Sequence, residues 1–358
     1  MRGWPGLISF FTALFFLRGF LIAQQPRPTA PGTQFEPPNA IPHRRTRLKR
    51  SEVEFYKSAR TLISWSPSEI DSCAFLHGLR PSVSQDQLPG ILERVGQTCT
   101  GSYHDFLDVT CDEEVVSTGS NVSQGYLPGF FPGGGEACSH NLDDIPKLSC
   151  NEGLSSKGSN SYPAVRSNFQ YTVLRRPQGD LPEFEEYRTD LRGKPVNVRK
   201  LRNPPVMTWG FASTFLYFSL ADQRDNRYRY FGTQMIRDRE CHVVGFAQDP
   251  ENVGRIYRIY FFGKHGRVVL LQGMAWIDVQ DFRILRVKIW LLAPHDDVRL
   301  SSETSTVDFY PFHPSGTERE LWLPYDVLVE ALFRGLEVHN THHYANYKLF
   351  RVESTIKP

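Results

Sequence analysis

A chain of 358 residues with 40% hydrophobic and 22% charged side chains can bury a sizeable core, which excludes a globally disordered polymer. Its net charge of +2 hides an asymmetry: residues 1–50 carry eight basic groups and one acid, whereas residues 51–358 carry 33 basic and 38 acidic groups. A body with a net charge of −5 has no basic footprint, so a nucleic-acid partner is excluded. Aromatic residues reach 13%, which favours β-rich architecture.

In chain order, residues 1–23 read as a secretory signal peptide: Arg2 is the positive start, Leu7–Leu17 an apolar run too short for a bilayer span, and Ala23 the cleavage residue. Retention of this segment as an anchor is the alternative. Export to the periplasm, the cell envelope or the exterior is expected. Residues 24–50 form a linker, first proline-rich (Pro26 to Pro42) and then basic (HRRTRLKR, 43–50). Such a linker is extended, and its basic part can touch an anionic membrane surface.

Residues 51–164 are expected to form a helical, cysteine-containing, loop-rich region packed on a sheet. Ser51 with Glu54 and Ser66 with Glu69 match capping boxes, and Pro67 suits a first helical position. Ile70, Cys73, Ala74 and His77 would share one helical face, as would Leu88, Ile91, Leu92 and Val95. Two or three short helices over 51–98 follow. A strand candidate occupies 106–116, and Gly129–Glu136 is a loop without the Lys-Ser/Thr ending of a phosphate loop. Six cysteines in an exported chain permit disulfides; the expected pairs are Cys138 with Cys150 and Cys73 with Cys99. Zinc competes weakly, because the chain has no CxxC pair.

From residue 165 to 358, strand-like runs of about 7–13 residues recur with short turns between them. The segment 207–222 differs: Phe211, Phe215 and Phe218 recur at helical spacing and predict an amphipathic helix with an aromatic stripe. In FRILRVKIWLL, Leu285, Val287, Ile289 and Leu291 alternate with Arg286 and Lys288, so one face meets an apolar space and the other water. The fold class is mainly β (α+β): a curved antiparallel sheet forming a half barrel with capping helices.

The run Gly273-Met-Ala-Trp-Ile-Asp278, then Phe282–Arg286, Leu321-Trp-Leu-Pro324 and His339–Phe350, resembles exported bacterial proteins of the LolA-like group, the lipoprotein carriers and RseB-like lipid sensors. The resemblance covers roughly residues 165–355. It implies helices over the concave side of a half barrel, with an apolar ligand between them: a lipid or a lipoprotein acyl chain, and an envelope lipoprotein as partner.

The chemistry-bearing residues point away from catalysis. His339 and His343 share one face of a predicted strand but stand ~13 Å apart, too far to ligate one ion. Asp278 reads as a hairpin acceptor, and His295-Asp296-Asp297 as a turn. Cys241 and His242 are adjacent on a strand and point to opposite faces. G-x-S-x-G and H-E-x-x-H are absent. The expected ligand lining is Phe211, Phe215, Phe218, Trp276, Leu285, Val287, Ile289, Leu291 and Trp322, with no cofactor, metal or catalytic residue. The Phe211–Phe218 helix is expected to act as a lid. The alternatives are an envelope structural or interaction protein whose concavity is filled by its own side chains, and a hydrolase.

Overall fold

Runs of β-branched and aromatic residues separated by short turns can bury their apolar faces only by pairing into a sheet, and they do so here. The computed structural model describes residues 48–121, 161–175, 184–196, 206, 210–253, 258–262, 265–315 and 318–350, all within one compact unit, Phe35–Pro358. The strands are β1 (Arg80–Pro81), β2 (Val109–Asn121), β3 (Ser161–Arg175), β4 (Phe184–Thr189), β5 (Asn226–Ile236), β6 (Arg239–Gln248), β7 (Arg258–Phe262), β8 (His265–Val269), β9 (Leu271–Asp278), β10 (Ile284–Leu291), β11 (Leu300–Phe312), β12 (Leu321–Phe333) and β13 (Leu336–Leu349). The α-helices are α1 (Arg50–Lys57), α2 (Pro67–Asp71) and α3 (Leu88–His104).

Eleven strands form one curved antiparallel sheet in the order β1-β5-β6-β9-β10-β11-β12-β13-β2-β3-β4, which does not close into a barrel. β7 and β8 pair separately as a ribbon. From β9 to β13 the order is a meander of consecutive hairpins. At the β12–β13 turn, Arg334 and Gly335 take the positive φ values, 56° and 79°, that a two-residue hairpin of primed type requires. The N-terminal region enters the same sheet, because β2 pairs with both β13 and β3.

The two faces of the sheet are covered by different parts of the chain. On the concave face, α3 and the 3-10 helix Phe211–Phe218 pack on Val244, Phe246, Val287, Ile289, Val307, Val327 and Val329. α3 contributes Ile91, Val95, Cys99 and Tyr103, the face anticipated from Leu88–Val95 continued for two more turns. On the convex face of β5, β6, β9 and β10, the segment 62–76 packs Leu62, Trp65, Ile70, Cys73 and Leu76 on Phe231, Val243, Met274 and Trp276. The Arg286 and Lys288 face therefore does not simply meet water. The Lys288 ammonium sits 5.1 Å above the Phe75 ring, and Trp65 stacks on Trp290 at 6.1 Å.

Local chemistry explains the helix starts. The Ser66–Glu69 capping box forms as its spacing requires, with Ser66 N donating to Glu69 Oε2 at 2.7 Å. The expected Ser51–Glu54 box does not form. α1 begins earlier, and Lys49 N donates to Glu52 Oε2 at 2.8 Å. α2 stops at Asp71, so Ile70, Cys73, Ala74 and His77 do not share a helix. The aromatic segment is a 3-10 helix rather than an α-helix with one buried stripe, and of its eight residues only Ser213 is not buried.

Gly273, which opens the Gly-Met-Ala-Trp-Ile-Asp run, is fixed by sterics. A Cβ there would lie 2.3 Å from the Lys288 carbonyl oxygen and 2.9 Å from Ile289 Cα, both backbone atoms of the neighbouring strand. Gly273→Ala is therefore expected to cost about 3 kcal/mol, read as a lowered urea midpoint at unchanged slope, because overpacking against backbone has no rotamer to relieve it.

Candidate binding site on the concave face

Paired residues of an antiparallel sheet share a face, so register alone shows what crosses the concavity. One row runs Ala275, Val287, Val307, Val327, His342, Val115. It is apolar until β13 and then meets an imidazole. The row beside it runs Gly273, Ile289, Ser305, Val329, Asn340, Ser117. Ser305 apart, the concave face is thus apolar over its middle strands and polar where β13, β2, β3 and β4 meet.

At that end the polar side chains are buried and bonded together. The Glu113 carboxylate, 1% exposed, accepts Arg188 Nε at 2.6 Å and Arg188 Nη2 at 3.0 Å. The Tyr344 hydroxyl donates to Glu113 Oε1 at 2.9 Å, and His342 Nδ1 lies 2.9 Å from the same oxygen. The Arg188 guanidinium also lies 4.7 Å over the Tyr171 ring. Burial alone would push the Glu113 carboxyl up, but the Arg188 charge and the His342 contact outweigh it and hold the group down at about 2. Glu186 goes the other way: burial pushes it up to about 7, against the pull of the Arg188 cation and the Ala212 amide.

Glu186 joins this polar set to the aromatic helix. Ala212 N donates to Glu186 Oε1 at 3.1 Å, and Phe211 packs edge-on to His342 at 5.1 Å. Phe184 lies 6.0 Å from Phe215 and 4.5 Å from Phe106. Among the described residues, Ser117 Oγ is buried with no hydrogen-bond partner. The Tyr171 side chain bonds to Glu186 and, with Arg188, pulls its carboxyl down against burial.

The expected lining is divided between the two faces. Phe211, Phe215, Phe218, Val287, Ile289 and Leu291 share the concave core. Trp276 and Leu285 lie in the convex core instead. For Leu285 the reason is a register shift between Ile284 and Arg286: this bulge turns Ile284 inward and Leu285 outward, which simple alternation does not foresee. Trp276 follows the parity of Met274 and donates Nε1–H to Gln234 Oε1 at 2.7 Å. Trp322 is half-buried between the Arg239 and Arg283 guanidinium groups, 5.7 and 5.5 Å from its ring.

The cysteine expectation is corrected. Cys73 and Cys99 form no disulfide with each other: they are buried in separate cores on opposite faces of the sheet, and Cys111 and Cys241 form none either. Cys138 and Cys150 lie outside the described residues. β13 is a strand, with His339 and His343 on its outer face, His339 beside Glu330 and Glu337, and His343 2.8 Å from Asp326. Among the described residues, no group of three or more His, Cys, Asp or Glu side chains is placed to hold a metal. Asp278 is the hairpin acceptor: Oδ1 accepts Gln280 N at 2.7 Å and Asp281 N at 3.1 Å, while Oδ2 pairs with Arg239 Nε at 2.6 Å. Among the described residues no helix is long and apolar enough to cross a membrane.

The sequence reading missed Glu113, Tyr171, Glu186, Arg188, His342 and Tyr344. Part of the signal was present. In VTCDEEVVS, Glu113 has the parity of Val109, Cys111 and Val115, and in β13 His342 and Tyr344 have that of Val338.

No family model and no curated protein matches the chain. Solved structures do. The chain is similar to an outer membrane lipoprotein-sorting protein domain from Vibrio parahaemolyticus, at 9% identity over 72% of this chain and 90% of that one, with a TM-score of 0.32. It is also similar to a DUF1329 family protein from Desulfovibrio piger, at 10% identity over 75% of this chain and 96% of that one, with a TM-score of 0.34.

Two outcomes follow from the electrostatics. Arg188→Met leaves the Glu113 charge buried and unpaired and is expected to cost about 3–5 kcal/mol; adding Glu113→Gln should recover at least half of this in urea unfolding. Glu186 titrates higher in the fold than its ordinary 4.5, so its ionisation costs stability as pH rises from there through about 7. Glu113 titrates lower, so its contribution is lost only as pH falls below 4.5 toward 2. Glu186→Gln is thus expected to stabilise the protein by on the order of 2 kcal/mol at pH 8 and by little at pH 4.

Proposed function

We propose that the protein is an exported, non-enzymatic binding protein that holds an apolar ligand, a lipid or a lipoprotein acyl chain, against the concave face of its sheet. The observation that carries this reading is the wall itself: an open sheet whose middle strands present Val244, Val287, Ile289, Val307, Val327 and Val329 on one face, covered from within the chain by helices. The principal cover is an eight-residue 3-10 helix. Helices of that kind hold themselves poorly beyond 3–4 residues, so packing keeps this one in place and a competing apolar chain can displace it. The N-terminal segment 1–23 acts as the export signal, with the envelope or periplasm as destination. The basic end of the 24–50 linker contacts the membrane surface, and an envelope lipoprotein is the partner.

A second reading has its own observation. Phe211, Phe215 and Phe218 are 0%, 8% and 0% exposed, so the protein's own aromatics occupy the concavity as they would in an envelope structural or interaction protein. The histidines a hydrolase would gather are instead spread over both faces of β13, β6 and the turn at His295.

Mass spectrometry of organic extracts from the purified protein separates the two readings. A reproducible lipid or acyl species at near-stoichiometric amount is expected. Lipid-free protein that also fails to take up an apolar fluorescent probe favours the self-filled reading. Phe215→Ala sharpens the result: a loss of about 3–5 kcal/mol with unchanged probe uptake marks plain core, whereas a smaller loss with altered uptake marks a displaceable cover.

A further inference from the structure

The aromatic helix is fastened differently at its two ends. At the far end the Tyr228 hydroxyl donates to the Tyr217 carbonyl at 2.6 Å, Asn226 Nδ2 donates to the Asp222 carbonyl at 2.9 Å, and Ser219 Oγ donates to Asp222 Oδ2 at 2.8 Å. Gln223 Nε2 donates to the Phe218 carbonyl at 3.0 Å and to the Leu92 carbonyl of α3 at 2.6 Å. Gly96 permits that approach, because a Cβ there would lie 2.5 Å from the same nitrogen. At the near end, among the described residues, 210–214 make one hydrogen bond outside the helix, from Ala212 N to Glu186 Oε1 at 3.1 Å. Building on the apolar-ligand reading, we propose that the helix opens from its Phe211 end about a hinge at Ser219–Asn226, and that loss of the Glu186 proton opens it.

Glu186 stands on β4, the last strand of the sheet, directly under the first turn of the helix. Lifting Phe211 and Ala212 therefore lets water reach its carboxyl without parting any strands. The groups around it belong to the sheet. Arg188 of the same strand acts on it through space, while its Nε and Nη2 stay on Glu113. Tyr171 of β3 bonds to it, and Glu113 of β2 and Tyr344 of β13 face it. His342 of β13 contacts Glu113 and packs on Phe211, and α3 meets β4 through the Tyr103 ring on Phe184. Arg188, Tyr171 and the Ala212 amide all favour the carboxylate, yet burial outweighs them and pushes the closed group up to about 7. With the helix lifted and water admitted, the carboxyl returns to its ordinary 4.5. A group that titrates higher in the closed state than in the open one favours closure when protonated, so rising pH drives opening. Those two values make the opening constant about tenfold larger at pH 8 than at pH 6.

Hydrogen exchange on the ligand-free protein, corrected for the intrinsic rate of each amide at each pH, reads the opening directly. Exchange across 210–216 is expected to rise about tenfold from pH 6 to pH 8, while 219–226 stays equally protected at both. Glu186→Gln keeps an oxygen for Ala212 N but cannot ionise. It should hold 210–216 at the pH 6 level throughout, and circular dichroism establishes that the variant is folded. The rate of uptake of an apolar fluorescent probe should show the same tenfold rise in the unaltered protein and lose it in the variant. Three results overturn the inference: corrected exchange equal at the two pH values, a rise shared by 219–226, or a rise that persists in the folded variant and so belongs to His342 or another group. Probe uptake in those cases spares the apolar-ligand reading. The expected exchange pattern with no probe uptake at either pH upholds the proton-released hinge and removes that reading.

Discussion

The carboxylate of Glu113 is buried on the concave face of a sheet, and much of the structure around it answers to that fact. An ionised group at 1% exposure is tolerable only if its charge is met and its lone pairs are filled. Arg188, Tyr344 and His342 do this from β4 and β13. These residues lie far apart in sequence. They converge only because β2 inserts between β13 and β3, and β4 follows β3 at the edge. The strand order is therefore coupled to the electrostatics: a one-residue slip of β2 would turn Glu113 to the other face and leave Arg188 without its partner.

The same arrangement divides the concavity by chemistry. Across β9 to β12 the inward rows are apolar except for Ser305, and the aromatic helix and α3 complete a core over them. From β13 onward the rows carry Asn340, His342, Tyr344, Ser117 and Glu113. Phe211 against His342 and Ala212 on Glu186 stitch the two zones together. A protein that only filled its own core would gain from replacing such a buried charged cluster with hydrophobes of similar volume, since buried ion pairs are weak sources of stability. Keeping the cluster is easier to understand where the polar groups face something that comes and goes.

The sheet was legible in the chain because strand runs and hairpin turns are local signals: the β9–β10 hairpin closed by Asp278 and the Ser66–Glu69 cap follow from a few neighbouring residues. The concave placement of Val287, Ile289 and Leu291 follows from alternation, and Leu285 escapes it because one bulge changes the parity. The polar cluster was not legible for a different reason. Each member is unremarkable in its own strand, and the meaning comes from non-consecutive strands becoming neighbours. The aromatic helix was found at the right place with the wrong geometry, because spacing at i, i+4 and i+7 describes an α-helix, whereas burial on every side permits the tighter 3-10 winding. The Cys73–Cys99 pairing failed because sequence does not reveal that a sheet lies between the two thiols.

The account's central claim is that the concave face under the aromatic helix receives an apolar ligand. A crystal structure of protein purified without any delipidating step tests it most directly. The account predicts elongated density against Val287, Ile289, Val307 and Val327, with the Phe211–Phe218 helix displaced to admit it. A concave face filled only by the protein's own side chains, with the aromatic helix seated as described, would contradict it.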